Sequence, residues 1–335
     1  MKILIYGGWK DNNGPSNVVK SLILNSDEDL MYIKSSNKII KGFEIFFKLI
    51  RSDIVVTSGI VSFRFQNILK KMNKKFVILM HGCNEYENKI NNLNLDSNIL
   101  KREKFCMENS SLIIAVSEVY SFWLKNRFPE YAHKITFVNN GVEINRRISV
   151  SKNKNTIALS GGNRNIKNNY EVCLAVQRLI QKGIDCTVNV YGYIYPENKN
   201  LNIFPFVNIK NQMNKNDFYD ELDKTELFVL NSELEPFGLV IADALNCNCS
   251  LLVSKNVGSS SILKLEENDI INNPHDIDEI EQKVYINLKQ SNSERLYNSL
   301  DLKRITPKSS YVRLKSICCS VIEGNYKDEE NFEKI

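Results

Sequence analysis

The 335-residue sequence is poor in histidine, with three, and in proline, with seven. So few histidines restrict any histidine-based metal centre. No apolar run reaches membrane-spanning length. The opening run Lys2–Tyr6 is too short for a signal-peptide core before Gly7 and Gly8 interrupt it. The eight cysteines (83, 106, 173, 186, 247, 249, 318 and 319) lack the paired spacing of zinc knuckles. They sit in apolar patterns and read as reduced, mostly buried thiols of a cytosolic protein. The first glycine loop does not follow G-x-G-x-x-G, which argues against a dinucleotide-dependent dehydrogenase. Acidic residues are scarce between 34 and 75, where only Glu44 and Asp53 stand against ten Lys and Arg.

What is present is ordinary for a globular chain: 43% apolar residues, 25% charged and a net charge of +5. The length allows two domains, each with its own core. Short apolar runs alternate with helical patterns throughout. In the first half the expected strands are 2–6, 30–33, 53–57, 75–80, 111–116 and 134–138. A helix is expected over 17–23 with Ser16 as its cap, and others over 38–51, 63–72, 97–108 and 119–128. Arg146 to Asn155 is polar and reads as a linker. The rhythm then restarts, with strands at 156–159, 186–191, 207–209, 227–230 and 249–253. Helices are expected over 170–182, from about Phe237, after Gly258, over 276–290 and over 307–322. This alternation predicts α/β domains built on parallel, doubly wound sheets. The expected division is 1–150, 151–306 and a C-terminal helix with a polar tail over 307–335. That helix is expected to pack back on the first domain, and the tail to fray from Asn325.

Two stretches of the second half carry the chemistry. Asn231–Leu245 (NSELEPFGLVIADAL) follows an apolar run and places Glu235 and Asp243 eight residues apart. A helix starting near Phe237, with Pro236 in its first turn, would offer unpaired N–H groups to an anion. Ser160–Asn168 (SGGNRNIKN) is a glycine-led loop with Arg164 and Lys167. Both stretches follow predicted strands, so both fall on one edge of a parallel sheet. Cations suit a diphosphate, and carboxylates suit sugar and ribose hydroxyls. In the first half, His81 closes a buried strand. That position suits a ligand contact, acid–base work or a hydrogen bond within the loop.

Together with Asn139–Val142 (NNGV), these stretches resemble the retaining group 1 (family 4) glycosyltransferases of the GT-B fold. The resemblance covers nearly the whole chain. It implies two Rossmann-like domains facing across a cleft, the first holding an acceptor and the second a nucleotide-sugar donor. The family's E-x7-E pair of acids falls on Glu235, implied to contact the transferred sugar, and on Asp243, implied to contact the ribose. Asp243 departs from the pattern, being shorter than the usual glutamate. Arg164 and Lys167 are implied to stabilise the leaving diphosphate, and His81 to lie near the reacting sugar. Gly14 matches the first-loop glycine that approaches phosphate. Gly162, Phe237 and Gly238 complete the implied donor site, the last two through backbone N–H groups.

The implied reaction is a metal-independent transfer with retention, from a nucleotide-diphosphate sugar, favoured as a UDP sugar, to a glycan or lipid-linked acceptor. Cell-surface polysaccharide synthesis is the expected setting. No cofactor and no metal are expected. Asp27 with Asp29, and Asp276 with Asp278, have D-x-D spacing but stand at helix ends. A nucleotide-sugar epimerase and a non-catalytic partner subunit stay open as alternatives. The basic, aromatic stretch 38–75 fits an anionic membrane surface, or the solvated faces of ordinary helices; the acidic second-half motif argues against nucleic acid. The expected location is the cytoplasm, at the inner face of the plasma membrane.

Overall fold

The computed structural model describes residues 1–11, 13–93, 96–148 and 150–326. The expected frayed tail lies, beyond Tyr326, outside them. The chain forms two compact units. The first comprises residues 1–86, 94–142 and 303–335, and the second residues 87–93 and 143–302.

In chain order the first half runs β1 (Ile3–Tyr6), α1 (Gly14–Leu24), β2 (Leu30–Tyr32), α2 (Lys38–Arg51), β3 (Ile54–Ser58), α3 (Phe63–Lys71), β4 (Phe76–Met80), α4 (Asn84–Ile90), α5 (Ser97–Asn109), β5 (Leu112–Ala115), α6 (Glu118–Arg127) and β6 (Ile135–Phe137). Its sheet is parallel, in the order β2-β1-β3-β4-β5-β6. Strand β4 (FVILM) is buried at every residue, as a parallel strand covered on both faces must be. The chain path reverses at β1, with β2 on one side and β3 on the other. Loops at the carboxyl ends beside that point are where such sheets bind ligands.

The second half runs β7 (Thr156–Ser160), α7 (Asn169–Gln181), β8 (Thr187–Tyr191), β9 (Val207–Lys210), α8 (Lys215–Asp223), β10 (Leu227–Leu230), α9 (Val240–Asn246), β11 (Ser250–Ser254), β12 (Ile270–Ile271), α10 (Ile277–Lys289) and α11 (Ser293–Asn298). Its parallel sheet has the order β12-β11-β10-β7-β8-β9. The reversal falls between β7 and β10, which pair directly through Leu227–Ile157 to Val229–Leu159. One core of Ile157, Val172, Val176, Val188, Val229 and Leu252, among others, fills the space between this sheet and helices α7 and α10. Arg146 to Asn155, expected as a linker, is tied to this unit: Arg147 N donates to Asn246 O at 2.7 Å and Asn153 N to Lys224 O at 2.9 Å.

The chain ends with α12 (Leu302–Ile305) and α13 (Pro307–Glu323). Helix α13 buries Tyr311, Leu314, Ile317, Cys318 and Val321 and packs against α1. Gly141 of the NNGV stretch serves this packing, since a Cβ there would lie 2.4 Å from Pro307 Cα.

Three helix starts differ from expectation. Helix α1 begins at Gly14 and is capped by Asn13, whose side chain accepts Ser16 N at 2.9 Å. Pro15 fits a first turn, so the helix starts earlier than the apolar pattern suggests. Helix α9 begins at Val240, not near Phe237, because Gly238 has φ +87° and cannot be helical. Pro236 therefore precedes the helix. After Gly258 there is a 3-10 turn to Ile262 in place of an α-helix.

Candidate functional site

The pairing of β7 with β10 sets the loops after them, 161–168 and 231–239, side by side. Glu233 N donates to Ile166 O at 2.8 Å across the two loops. Asparagines lock the first loop from within. Asn169 donates to Ser160 O (3.0 Å) and Gly162 O (2.7 Å), and Asn168 to Asn231 O (3.2 Å). Asn163 donates to Tyr195 O at 2.8 Å and accepts Tyr195 N at 2.7 Å. A side-chain amide both donates and accepts, so it can satisfy a tight loop that has no ladder partners.

Lys167 and Glu235 meet across these loops as an ion pair, Nζ to Oε2, with the lysine side chain nearly buried. Arg164 folds over the same loop, its Nε donating to Gly161 O at 3.3 Å. Gly161 gives both cations their space: a Cβ there would lie 2.8 Å from Lys167 Cε and 3.1 Å from Arg164 Nη2. Gly162 faces away from them, toward the Tyr193 carbonyl oxygen, which a Cβ would meet at 1.8 Å. Gly161 is therefore the glycine packed on the cations, and Gly162 the one that seats the loop.

The loop bearing Glu235 is pinned to residues 256–259. Glu235 N donates to Asn256 O at 3.1 Å, Gly258 N to Glu235 O at 2.8 Å and Ser259 N to Phe237 O at 2.7 Å. Gly238 turns against Glu235, where a Cβ would approach the Glu235 Cγ to 3.2 Å. Phe237 is 3% exposed and anchors this turn in the core.

Asp243 stands in the first turn of α9 and forms a separate cluster. Tyr219 Oη of α8 donates to its Oδ1 at 2.6 Å, and Lys215 Nζ lies 4.0 Å away. Burial raises the Asp243 pKa, and the Tyr219 hydrogen bond offsets part of that rise. Tyr219 is itself flanked by cations, with Lys215 Nζ 5.3 Å and Arg147 Cζ 5.4 Å from its ring centroid. No signal in the sequence marks Tyr219, which comes from another helix.

His81 and Gly14 belong to the first unit. His81 follows β4, and its Nε2 lies 2.8 Å from Ser58 Oγ at the end of β3. Burial of the ring lowers its pKa to about 4, so the imidazole is neutral at pH 7. Gly7 supports Ser58 from behind, since a Cβ on Gly7 would lie 2.5 Å from the Ser58 Cβ. Gly14 is the first residue of α1 rather than part of the loop, and a Cβ there would meet nothing within 4 Å. Packing within the protein therefore places no demand for glycine at 14.

Two cavities adjoin these residues. One of about 360 Å³ opens at the ends of β1 and β2, between Tyr6, Trp9, Lys10, Asp11, Ser35 and Lys41. Trp9 is fixed there by Nε1 donating to Ile33 O at 2.8 Å and by an edge contact with Tyr32. The other, about 460 Å³, lies on the asparagine side of the 161–168 loop, bounded by Asn163, Arg164, Asn168, Lys199, Glu233 and His275. Lys167 and Glu235 are not among its walls.

The D-x-D acids have structural partners. Asp27 and Asp29 bind Lys315 at 2.7 and 2.5 Å, and Asp27 also accepts from Tyr311, which ties α13 to the first unit. Asp276 caps α10, and Asp278 pairs with Arg178. Among the described residues no three His, Cys, Asp or Glu side chains converge as a metal site would require.

The family described as glycosyl transferases group 1 matches residues 141–299. No curated protein is a significant match in sequence. Solved structures share the fold over nearly the whole chain. The Anabaena protein HepE, solved with UDP and glucose, is 12% identical with a TM-score of 0.69, over 96% of this chain and 100% of that one. Sucrose-phosphate synthase from Thermosynechococcus elongatus is 12% identical with a TM-score of 0.72, over 96% and 99%. A glycosyltransferase from Rickettsia africae is 16% identical with a TM-score of 0.62, over 97% and 99%.

Proposed function

We propose, from the match of residues 141–299 to the group 1 glycosyl transferases and from the GT-B fold, that this protein carries out a retaining transfer from a UDP sugar. The acceptor in this reading is a glycan or a lipid-linked glycan, and the setting is cell-surface polysaccharide synthesis in the cytoplasm. The eight free cysteines, seven of them buried, agree with a reducing compartment. The observation that carries the reading is the Lys167–Glu235 ion pair at adjacent strand ends, with Arg164 folded beside it.

In the proposed step the bond between the anomeric carbon and the diphosphate oxygen breaks as the bond to the acceptor oxygen forms on the same face. The acceptor proton passes to the departing phosphate oxygen. Negative charge grows on the diphosphate, and Arg164 and Lys167 are fixed cations already in place to meet it. Glu235 holds Lys167 in position and offers its second oxygen to sugar hydroxyls. Its neighbours Phe237 and Gly238 present the turn, through their N–H groups, to the donor, and Gly162 seats the opposing loop. Asp243 is assigned the ribose, with Tyr219 setting the carboxylate's orientation. His81, held by Ser58, is a neutral hydrogen-bonding group for the transferred sugar. Gly14 leaves open space at the start of α1 for phosphate or sugar to approach. No step calls for a metal or a cofactor. The first unit takes the acceptor, for which the cavity around Trp9 has an aromatic wall and polar ends.

The test is turnover of a panel of nucleotide sugars, with and without acceptor glycans. Glu235→Ala and Lys167→Ala should each reduce transfer at least a thousandfold, about 4 kcal/mol of transition-state stabilisation, while both remain folded by circular dichroism. Full activity in either variant refutes the site. Product formed without acceptor would instead indicate an epimerase, and nucleotide-sugar binding without turnover a non-catalytic subunit.

A further inference from the structure

Helix α2 presents an apolar face to solvent. Ile39, Ile40, Phe43, Phe46, Phe47 and Ile50 are each between 52% and 73% exposed. Positions 39, 43, 46 and 50 make one stripe, with 40 and 47 beside it. At 100° per residue the six span an arc of about 120°. The opposite face holds the helix to the protein through buried Leu49 and half-buried Ile45 and Lys48. A helix that used its apolar residues for the core would show the reverse arrangement.

The rim of this face is cationic. Lys38 and Arg51 are exposed on α2, and Arg64, Lys70 and Lys71 on α3. The sheet order β2-β1-β3-β4 makes both crossovers step the same way, which puts α2 and α3 on one face of the sheet. Phe63 and Ile68 of α3, each 36% exposed, extend the apolar surface. The region has two acids, and each is hydrogen-bonded within the protein. Glu44 turns inward to the amides of Lys34 and Ser35, both at 2.9 Å, and to Lys48 at 2.6 Å. Asp53 accepts from Lys2 N at 2.6 Å.

We propose that α2 docks the protein on a bilayer rich in anionic lipid, its apolar stripe among the acyl chains and its cationic rim on the headgroups. Among the described residues no helix is long and apolar enough to cross a membrane, so this is attachment at the surface. A second copy fits less well, because a two-fold contact through this face would set the cationic rim against itself. Nucleic acid would leave the apolar arc without a partner. Lys41 of α2 lines the cavity around Trp9, so a lipid-linked acceptor would enter beside the attached helix. The docking itself does not depend on the transfer reading.

The whole chain is sedimented at low salt with vesicles of phosphatidylcholine, with and without phosphatidylglycerol. Binding is expected only with phosphatidylglycerol and should weaken as salt rises. Lys38→Gln and Arg51→Gln should each reduce it about fivefold. The pair Phe43→Ser and Phe47→Ser should reduce it more than tenfold, as loss of buried apolar area requires. Both phenylalanines are exposed, and an unchanged melting temperature checks that the pair still folds. Three results overturn the proposal: no binding to phosphatidylglycerol vesicles, equal binding to neutral vesicles, or binding indifferent to the phenylalanine pair. A vesicle-free dimer dissolved by that pair would assign the face to a second copy instead.

Discussion

At the scale of residues, Asp243 is where this chain departs from the E-x7-E pattern of the group 1 glycosyltransferases it resembles. Aspartate reaches about one methylene less far than glutamate, and its carboxylate is held by Tyr219 at 2.6 Å. Removing that hydroxyl leaves a largely buried carboxylate with one partner fewer, at a cost of about 1–3 kcal/mol. Tyr219→Phe should therefore raise the donor KM by roughly tenfold or more with little change in kcat, measured by steady-state kinetics. An unchanged KM would exclude Asp243 from the donor site. His81 gives a second test, in pH. Its pKa is about 4 when folded, against about 6.5 in an unfolded chain. Between these values the unfolded chain binds more protons, so stability rises with pH through this window and is lost as pH falls from 6.5 toward 4. The unfolding free energy of wild type between pH 7 and pH 4.5 should fall by roughly 2–3 kcal/mol more than that of His81→Gln, measured in urea.

At the scale of elements, the proposed donor site is two loops on neighbouring parallel strands, held by different means. Asparagine side chains hold the basic loop, while backbone bonds to residues 256–259 pin the acidic one. Rigid loops keep Lys167 and Glu235 in register, which preorganised charge stabilisation requires. Gly162 is the most constrained point, with φ +64° and the Tyr193 carbonyl filling the place of a side chain. Gly162→Ala should lower stability by about 3 kcal/mol or more and abolish transfer, read by urea denaturation and activity together. The same change at Gly14, where a Cβ meets nothing, should leave stability within about 0.5 kcal/mol. Helix α2 is the counterexample among elements, since its sequence is amphipathic yet its apolar arc is the one left exposed.

At the scale of the whole molecule, the two units have the same plan: six parallel strands with a path reversal beside the central strand. The proposed site residues are divided between them, with the cation–carboxylate group in the second and His81 in the first. Addition of UDP alone should slow amide exchange in residues 160–168 and 231–243 and leave the first unit's strands unchanged. At a hundredfold excess over Kd it should also stabilise the folded protein by about 2.7 kcal/mol. Exchange protection confined to the first unit would reverse the assignment of donor and acceptor units.

Alternation of apolar runs with helical patterns made the doubly wound sheets legible, because strand and helix periods are local properties of a chain. The glycine-led loop with Arg164 and Lys167, and the acidic stretch with Glu235, were legible for the same reason: each is one segment after one strand. Tertiary structure decided what joins separate segments. Strand order alone puts β7 beside β10, and so Lys167 beside Glu235. Tyr219 reaches Asp243 from another helix, Ser58 reaches His81 from another strand, and Gly161 rather than Gly162 makes room for the cations. The start of α9 depended on a positive φ at Gly238 that apolar spacing does not report. Sequence spacing also marks α2 as amphipathic, but which of its faces meets the core depends on what the sheet leaves to cover it. Local free-energy preferences write the elements, and contacts between residues far apart in the chain choose which side chains meet.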